Sequence, residues 1–303
     1  MRRALSALLA ALLLLTACRA AEPSPSPQPP APSSPVPANR EEPDPKPVWT
    51  RDEGVTIRLL QDTYPVGIER LTLLLENQTD SVLSYGDQIH IEKYENGFWQ
   101  AVEMAENIFW LDEAYRFPPH STQALTADFW YLARPPLEEG LYRITESLHS
   151  GNAYTPYALR INWQLSFRVS ADAQPEPDYA VFVPGQPVPL AEGCIVRTEL
   201  PLFLVNTTGE DANVLLIPRL ERRTGAGDWE EVPLREDLAF CGTPDPLPQR
   251  GMECTLDMDL WGGLEAGEYR VTYPAGPTVS TDDTAMGTFT LVWPEGGGLP
   301  LAD

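Results

Sequence analysis

LEEGLYRIT, residues 137–145, returns as LEAGEYRVT at residues 264–272. In each copy a glycine precedes a tyrosine, and apolar and polar side chains then alternate: Tyr142 and Ile144 against Arg143 and Thr145, Tyr269 and Val271 against Arg270 and Thr272. A period of two belongs to a strand with one buried face. Gly140 suits a turn with φ above zero at the start of such a strand. Working outward, Trp99 in GFWQAV lines up with Trp229 in GDWEEV at an offset of 130, Leu137 with Leu264 at 127, and Asn77 in LLLENQTD with Asn206 in LFLVNTTG at 129. An offset so steady over so long a span signals duplication of a whole domain, because solenoid repeats run about 20–50 residues.

The rest of each copy reads as strands. VTIRLL (55–60), LTLLLEN (71–77), IHIEKY (89–94), RINWQLSFRV (160–169) and GTFTLVW (287–293) are separated by Gly, Pro, Asn and Asp clusters. Met252, Cys254, Leu256, Met258 and Leu260 alternate with Glu253, Thr255, Asp257 and Asp259, predicting one strand through residue 260. No amphipathic helical pattern lasts beyond a turn or two. The expected fold class is all-β, two tandem antiparallel sandwiches at 48–170 and 180–294, joined by the Pro/acid linker 171–179 and followed by a tail, 295–303.

MRRALSALLAALLLLTACRA, with two arginines and an apolar run from Leu5 to Leu15, has the form of a secretory signal over residues 1–17. Its end, Leu15-Thr16-Ala17-Cys18, resembles the lipobox of bacterial lipoproteins, which implies that Cys18 carries a diacylglycerol anchor at the extracytoplasmic face of the cell membrane. Residues 18–47 are Pro/Ser-rich and cannot build a core. In polyproline II, at about 3.1 Å per residue, they would hold a domain up to roughly 90 Å from the lipid, as a passive tether or as a ligand for a proline-binding module.

Four landmarks carry a further resemblance: Tyr64-Pro65-Val66-Gly67, the strand ending in Asn77, IEKYENGFW (91–99) and LEEGLYRI (137–144). Together they resemble the bacterial immunoglobulin-like domain of Gram-positive surface proteins and lipoproteins, over most of residues 54–169. The second copy keeps Asn206, Trp229 and LEAGEYRV but has PRLERR in place of IEK, and is read as a diverged member. The resemblance implies an extracellular, non-enzymatic module. It also resembles immunoglobulin-type sandwiches in its leucine, glycine and tyrosine, so Tyr142 and Tyr269 are expected to form tyrosine corners, each hydroxyl bonding to backbone a few residues upstream.

Chemistry-bearing constellations are sparse. His90, His120 and His149 show no metal-ligand spacing, and no nucleophile elbow, P-loop or EF-hand loop is present, so no metal, cofactor or enzyme activity is expected. TDDT (281–284) reads as an acidic loop. Besides Cys18 the cysteines are Cys194, Cys241 and Cys254; Cys241 and Cys254 align with Leu111 and Ala127 of the first copy, and are either disulfide-bonded or buried thiols. NQT (77–79) and NTT (206–208) are read as strand-end turns. A net charge of −23 disfavours nucleic acid and anionic headgroups.

That leaves the adjacent aromatics Phe98-Trp99, Phe109-Trp110 and Phe129-Trp130-Tyr131. In a strand one of each adjacent pair faces away from the core, so Phe98, Trp110 and Trp130 are the candidate binding side chains, unless they pack against the neighbouring domain. The expected function is binding or scaffolding at the envelope, with a surface protein or envelope glycan as partner. A proteinase-inhibitor-like regulator of an enzyme is the alternative.

Overall fold

The structure, a computed structural model, describes residues 54–292 except 87, 111–113, 135, 151–159, 185–187, 190, 193–194, 197–198, 239–241, 263 and 280–282. The signal, Cys18, the tether, Cys194, Cys241 and the tail thus lie outside the described residues.

The first half contributes β1 (Val55–Leu59), β2 (Thr63–Pro65), β3 (Arg70–Asn77), β4 (Leu83–Tyr85), β5 (His90–Glu95), β6 (Phe98–Ala101), β7 (Tyr115–Phe117), β8 (Ser121–Asp128), β9 (Gly140–Ser150) and β10 (Arg160–Ser170). β1, β3 and β8 form one antiparallel sheet. In the other, β10 runs antiparallel to β9 and parallel to β2, and β9 also pairs with β4 and β5. Consecutive β1 and β2 therefore belong to different sheets. Between the sheets lies a core in which Leu71, Leu73 and Leu75 meet Tyr142, Ile144, Leu165 and Phe167.

The second half contributes β11 (Tyr179–Phe182), β12 (Val188–Pro189), β13 (Ala191–Glu192), β14 (Ile195–Val196), β15 (Glu199–Asn206), β16 (Ala212–Val214), β17 (Arg219–Arg223), β18 (Trp229–Glu231), β19 (Asp245–Leu247), β20 (Met252–Asp257), β21 (Gly267–Gly276) and β22 (Thr284–Val292). Its pairings repeat those of the first half: β15 lies between β11 and β20, β12 runs parallel to β22, and β22, β21, β17 and β18 are neighbours in that order. Among the described residues of the first half the β13–β14 hairpin has no counterpart. A separate core forms here around Leu200, Leu202, Leu204, Tyr269, Val271 and Phe289.

The alternation expected through residue 260 stops early. β20 ends at Asp257, whose side chain accepts from Asp259 N, and a 3₁₀ turn, Met258–Trp261, follows. An aspartate able to cap a turn outweighs three further residues of alternation. The register also corrects an alignment: Cys254 faces Leu202 as Leu125 faces Leu73, so Cys254 stands in the place of Leu125 rather than Ala127.

β3 and β15 are buried on both faces. Their outward residues Leu74, Phe203 and Val205 join Ala124 and Ala180 in a third apolar cluster that lies between the halves. Polar contacts surround it. Ala124 N donates to Arg250 O (3.1 Å), Thr122 N to Glu253 (2.8 Å), and Arg70 Nη2 to Thr208 O (2.8 Å). Glu176, from the linker, accepts from both Thr72 N (2.9 Å) and Thr72 Oγ1 (2.8 Å). The linker is therefore fastened to β3, and the halves are docked rather than strung.

Candidate functional site

The repeated phrase is structural in both copies. The Tyr142 hydroxyl donates to Glu138 O (3.0 Å) and that of Tyr269 to Glu265 O (2.8 Å). Above each ring lies a cation: Lys93 Nζ 5.8 Å from the Tyr142 centroid, Arg222 5.9 Å from that of Tyr269. Here PRLERR proves equivalent to the IEK segment. Glu92 and Lys93 pair with Arg143 and Tyr142, and Glu221 and Arg222 pair with Arg270 and Tyr269. Glu92 and Glu221 bind those arginines, which lie over Trp99 and Trp229 at 4.6 and 4.7 Å. The glycines have a shared reason. A Cβ on Gly140 would meet Lys93 Cε at 2.9 Å, and one on Gly267 would meet Arg222 Nε at 3.1 Å, so each leaves room for the covering cation. Only Gly140 has positive φ, at +156°.

The binding candidates separate. Phe98, on β6, is 55 % exposed and does not line the pocket that Trp110 and Trp130 share. That pocket, about 390 Å³, is lined by Phe109, Trp110, Trp130, Ile89, Leu125 and Asp128 among others. Its frame is local. Phe129 and Tyr131 are buried, so Trp130 between them is turned outward at 61 % exposure. Ala105 N donates to Tyr131 O and Ala133 N to Glu103 O, both at 2.8 Å, fixing the segment after β6 against the turn after β8. Trp110 packs on Trp130 (5.8 Å, tilted), on Tyr131 (4.9 Å, edge-on) and on the core, so its neighbour Phe109, 84 % exposed, and not Trp110, is the member of that pair turned outward. None of the three aromatic candidates belongs to the cluster between the halves. At the offset of Asn77 from Asn206, Trp130 corresponds to Asp259, so the second half lacks this shelf.

Electrostatics add two features that the sequence did not flag. Among the described residues Asp128 is the charged side chain of the pocket; partial burial pushes its carboxyl up, opposed by the nearby Arg70 guanidinium. Glu146 sits in the β9 alternation Tyr142, Ile144, Glu146, Leu148, whose other members are core, and faces Trp163 on β10. Burial pushes its carboxyl up to about 7, against a backbone hydrogen bond from Ser147 and the charge of Arg160. An acid with a raised folded-state pKa stabilises the fold most below its unfolded pKa and loses that contribution as pH rises through the folded value. Stability is therefore expected to fall between about pH 4.5 and 7. Glu146→Gln is expected to flatten that slope and to be the more stable form at pH 8 by on the order of 2 kcal/mol, as read by urea denaturation across pH. An unchanged slope would assign the pH dependence elsewhere.

Cys254 is a free thiol among the described residues, half-buried in β20, and burial pushes its pKa up to about 12. Its expected partner Cys241 lies outside the described residues. Asn77 and Asn206 are buried, with side-chain amides engaged by backbone. Among the described residues no three His, Cys, Asp or Glu side chains are grouped to hold a metal ion.

No curated protein matches the chain. Among solved structures, the YadV chaperone is 12 % identical, with 78 % of this chain and 100 % of that one covered, at a TM-score of 0.27. The periplasmic chaperone SfaE is 14 % identical over 80 % and 100 %, at 0.26, and the E. coli chaperone DraB 14 % identical over 78 % and 96 %, at 0.25. Likeness at these scores carries no argument about function. The sequence profile of the bacterial Ig-like domain family matches residues 51–160, which hold β1 to β9 and the aromatic pocket. This stretch of the chain is therefore a bacterial Ig-like domain.

Proposed function

We propose that this protein is a non-catalytic binding protein of the bacterial envelope, anchored by lipid at Cys18, extended on its Pro/Ser-rich tether, and engaging a surface protein or envelope glycan through the Trp110/Trp130 pocket. An immunoglobulin-like domain suits a binding or scaffolding role. The observation that carries the reading is the exposure of Trp130 and Phe109 beside a pocket on a framework that buries their neighbours. Large aromatics so placed are the usual anchors of binding surfaces. The second half, docked through its own buried strand β15, serves as the support that holds the first half in one orientation.

The test is capture from envelope extract by immobilised full chain. Trp130→Ala is expected to abolish enrichment of the captured component while changing stability by less than about 0.5 kcal/mol, because the side chain is outside the core. In cells, Cys18→Ser is expected to move the protein from the membrane to the soluble fraction. Capture that survives Trp130→Ala places the binding surface elsewhere.

A further inference from the structure

The pocket's lining is uneven in a way that selects a ligand. Its walls are the rings of Phe109, Trp110 and Trp130 with the aliphatic Ile89 and Leu125; among the described residues its one charged lining side chain is Asp128, and Thr126 brings a hydroxyl. Aromatic faces carry negative charge and attract cations. A hexose ring, by contrast, presents several hydroxyls that each need a partner, and these walls offer few. An anionic ligand would face Asp128 and a chain of net charge −23. Arg70, the cross-strand neighbour whose charge acts on the Asp128 carboxyl, donates its Nη2 to Thr208 O across the docking surface, so part of its hydrogen-bonding capacity is spent on the second half.

We infer that the pocket takes a methylated or quaternary ammonium group, held against the Trp110, Trp130 and Phe109 rings and neutralised by Asp128. This rests on the reading that the pocket is the chain's binding surface, and narrows its ligand to an organic cation. A quaternary ammonium has no N–H to satisfy, so apolar walls and one carboxylate meet all its requirements. The rings gain more from it than from a neutral group of the same shape, and an aliphatic pocket would not discriminate.

The experiment titrates the full chain, in detergent, with choline and with 3,3-dimethylbutan-1-ol, its uncharged carbon analogue, by calorimetry and tryptophan fluorescence. Choline is expected to bind saturably and the analogue at least about tenfold more weakly. Asp128→Asn is expected to weaken choline by about tenfold. Trp130→Phe should retain most of the affinity and Trp130→Ala lose it. Equal binding of the two compounds, or indifference to Asp128→Asn, overturns the ammonium assignment, as does absence of choline binding. In each of those cases Trp130-dependent capture from envelope extract would still stand or fall on its own, so the two readings fail separately.

Discussion

Asn206→Ala is expected to destabilise the second half by about 3 kcal/mol, seen as a lower urea midpoint with unchanged slope. The Asn206 side chain is 2 % exposed. Its Nδ2 donates to Glu210 O (2.8 Å) and, across the sandwich, to Leu247 O (3.2 Å), while its Oδ1 accepts from Thr208 N and Thr208 Oγ1. One amide thus ties the end of β15 to the turn after it and to the end of β19. Alanine leaves two carbonyls without their donor in a place water does not reach, and each such group costs about 1–3 kcal/mol. Asn77 repeats the arrangement with Ser81 O, Pro118 O and Thr79, so Asn77→Ala should cost the first half a similar amount. Asn206→Asp is the sharper variant. It keeps the acceptor and turns a carboxylate oxygen toward two carbonyls, so it should be at least as damaging at pH 7 and should recover in acid, where the carboxyl again donates. A loss below about 1 kcal/mol for both alanine variants would mean that backbone and water replace the stitch.

These asparagines mark what was legible in the sequence and what was not. NQT and NTT were visible as strand-end turns, and their shared offset aligned the copies, but nothing in a linear sequence shows that the amide reaches a carbonyl 41 residues away. The strands were legible because their faces differ: alternation gave β1 and β10 nearly to the residue, the first half of β9, and β22 from Gly287 onward. LLL (73–75) and LFLV (202–205) are apolar at every position. A strand buried on both faces has no polar face to alternate, and the outward side of both β3 and β15 is the surface on which the halves dock. PRLERR departs from IEK in its letters but not in its chemistry, since Arg222 and Lys93 hold the same register position. As cations over a tyrosine they do the same thing, and Glu221 confirms the register by binding Arg270 as Glu92 binds Arg143. Of the candidate site, adjacency alone flagged Trp110 and Trp130. That Phe98 lies apart from them, and that Asp128 joins them, depends on the segment after β6 folding back on the turn after β8, which no local pattern encodes.

The repeated Glu, Arg and Trp triplets are not a second binding surface. Arg143 is held between Glu92, Gln164 and the Trp99 ring, and Arg270 between Glu221 and the Trp229 ring. Groups so fully engaged present little to a ligand, and their recurrence in both halves follows from the sheet's need to cover its open face. The aromatic pocket has the opposite profile. Two of its rings, Phe109 and Trp130, are exposed, and the corresponding turn of the other half has Asp259 where Trp130 would stand. What the duplication preserved is the framework, and what differs between the halves is where function is to be sought.

Phe203→Ala is expected to separate the halves energetically, replacing one cooperative thermal transition by two. Phe203 is 2 % exposed although it points away from its own core. It packs with Leu74, Ala124, Ala180 and Val205, so truncating it empties the middle of the docking cluster at a cost of about 3 kcal/mol. The polar contacts around the rim would not replace it. Arg70 to Thr208 is exposed and of small worth, and Thr122 to Glu253 lies at the surface. Glu176 is the exception, being partly buried and doubly bound to Thr72, and it fastens the linker rather than the second half. The variant should therefore keep both cores folded, with the linker still seated, while the second half gains freedom to swing. Scattering would show this as a larger radius of gyration, and calorimetry as two resolved transitions. A single transition at a lower temperature, with unchanged scattering, would mean that the rim alone holds the pair. Trp130 and Phe109 lie outside this cluster, so the aromatic walls of the pocket should persist in Phe203→Ala, whereas Arg70, released from Thr208 O when the halves part, returns its charge to Asp128 and is expected to weaken choline binding.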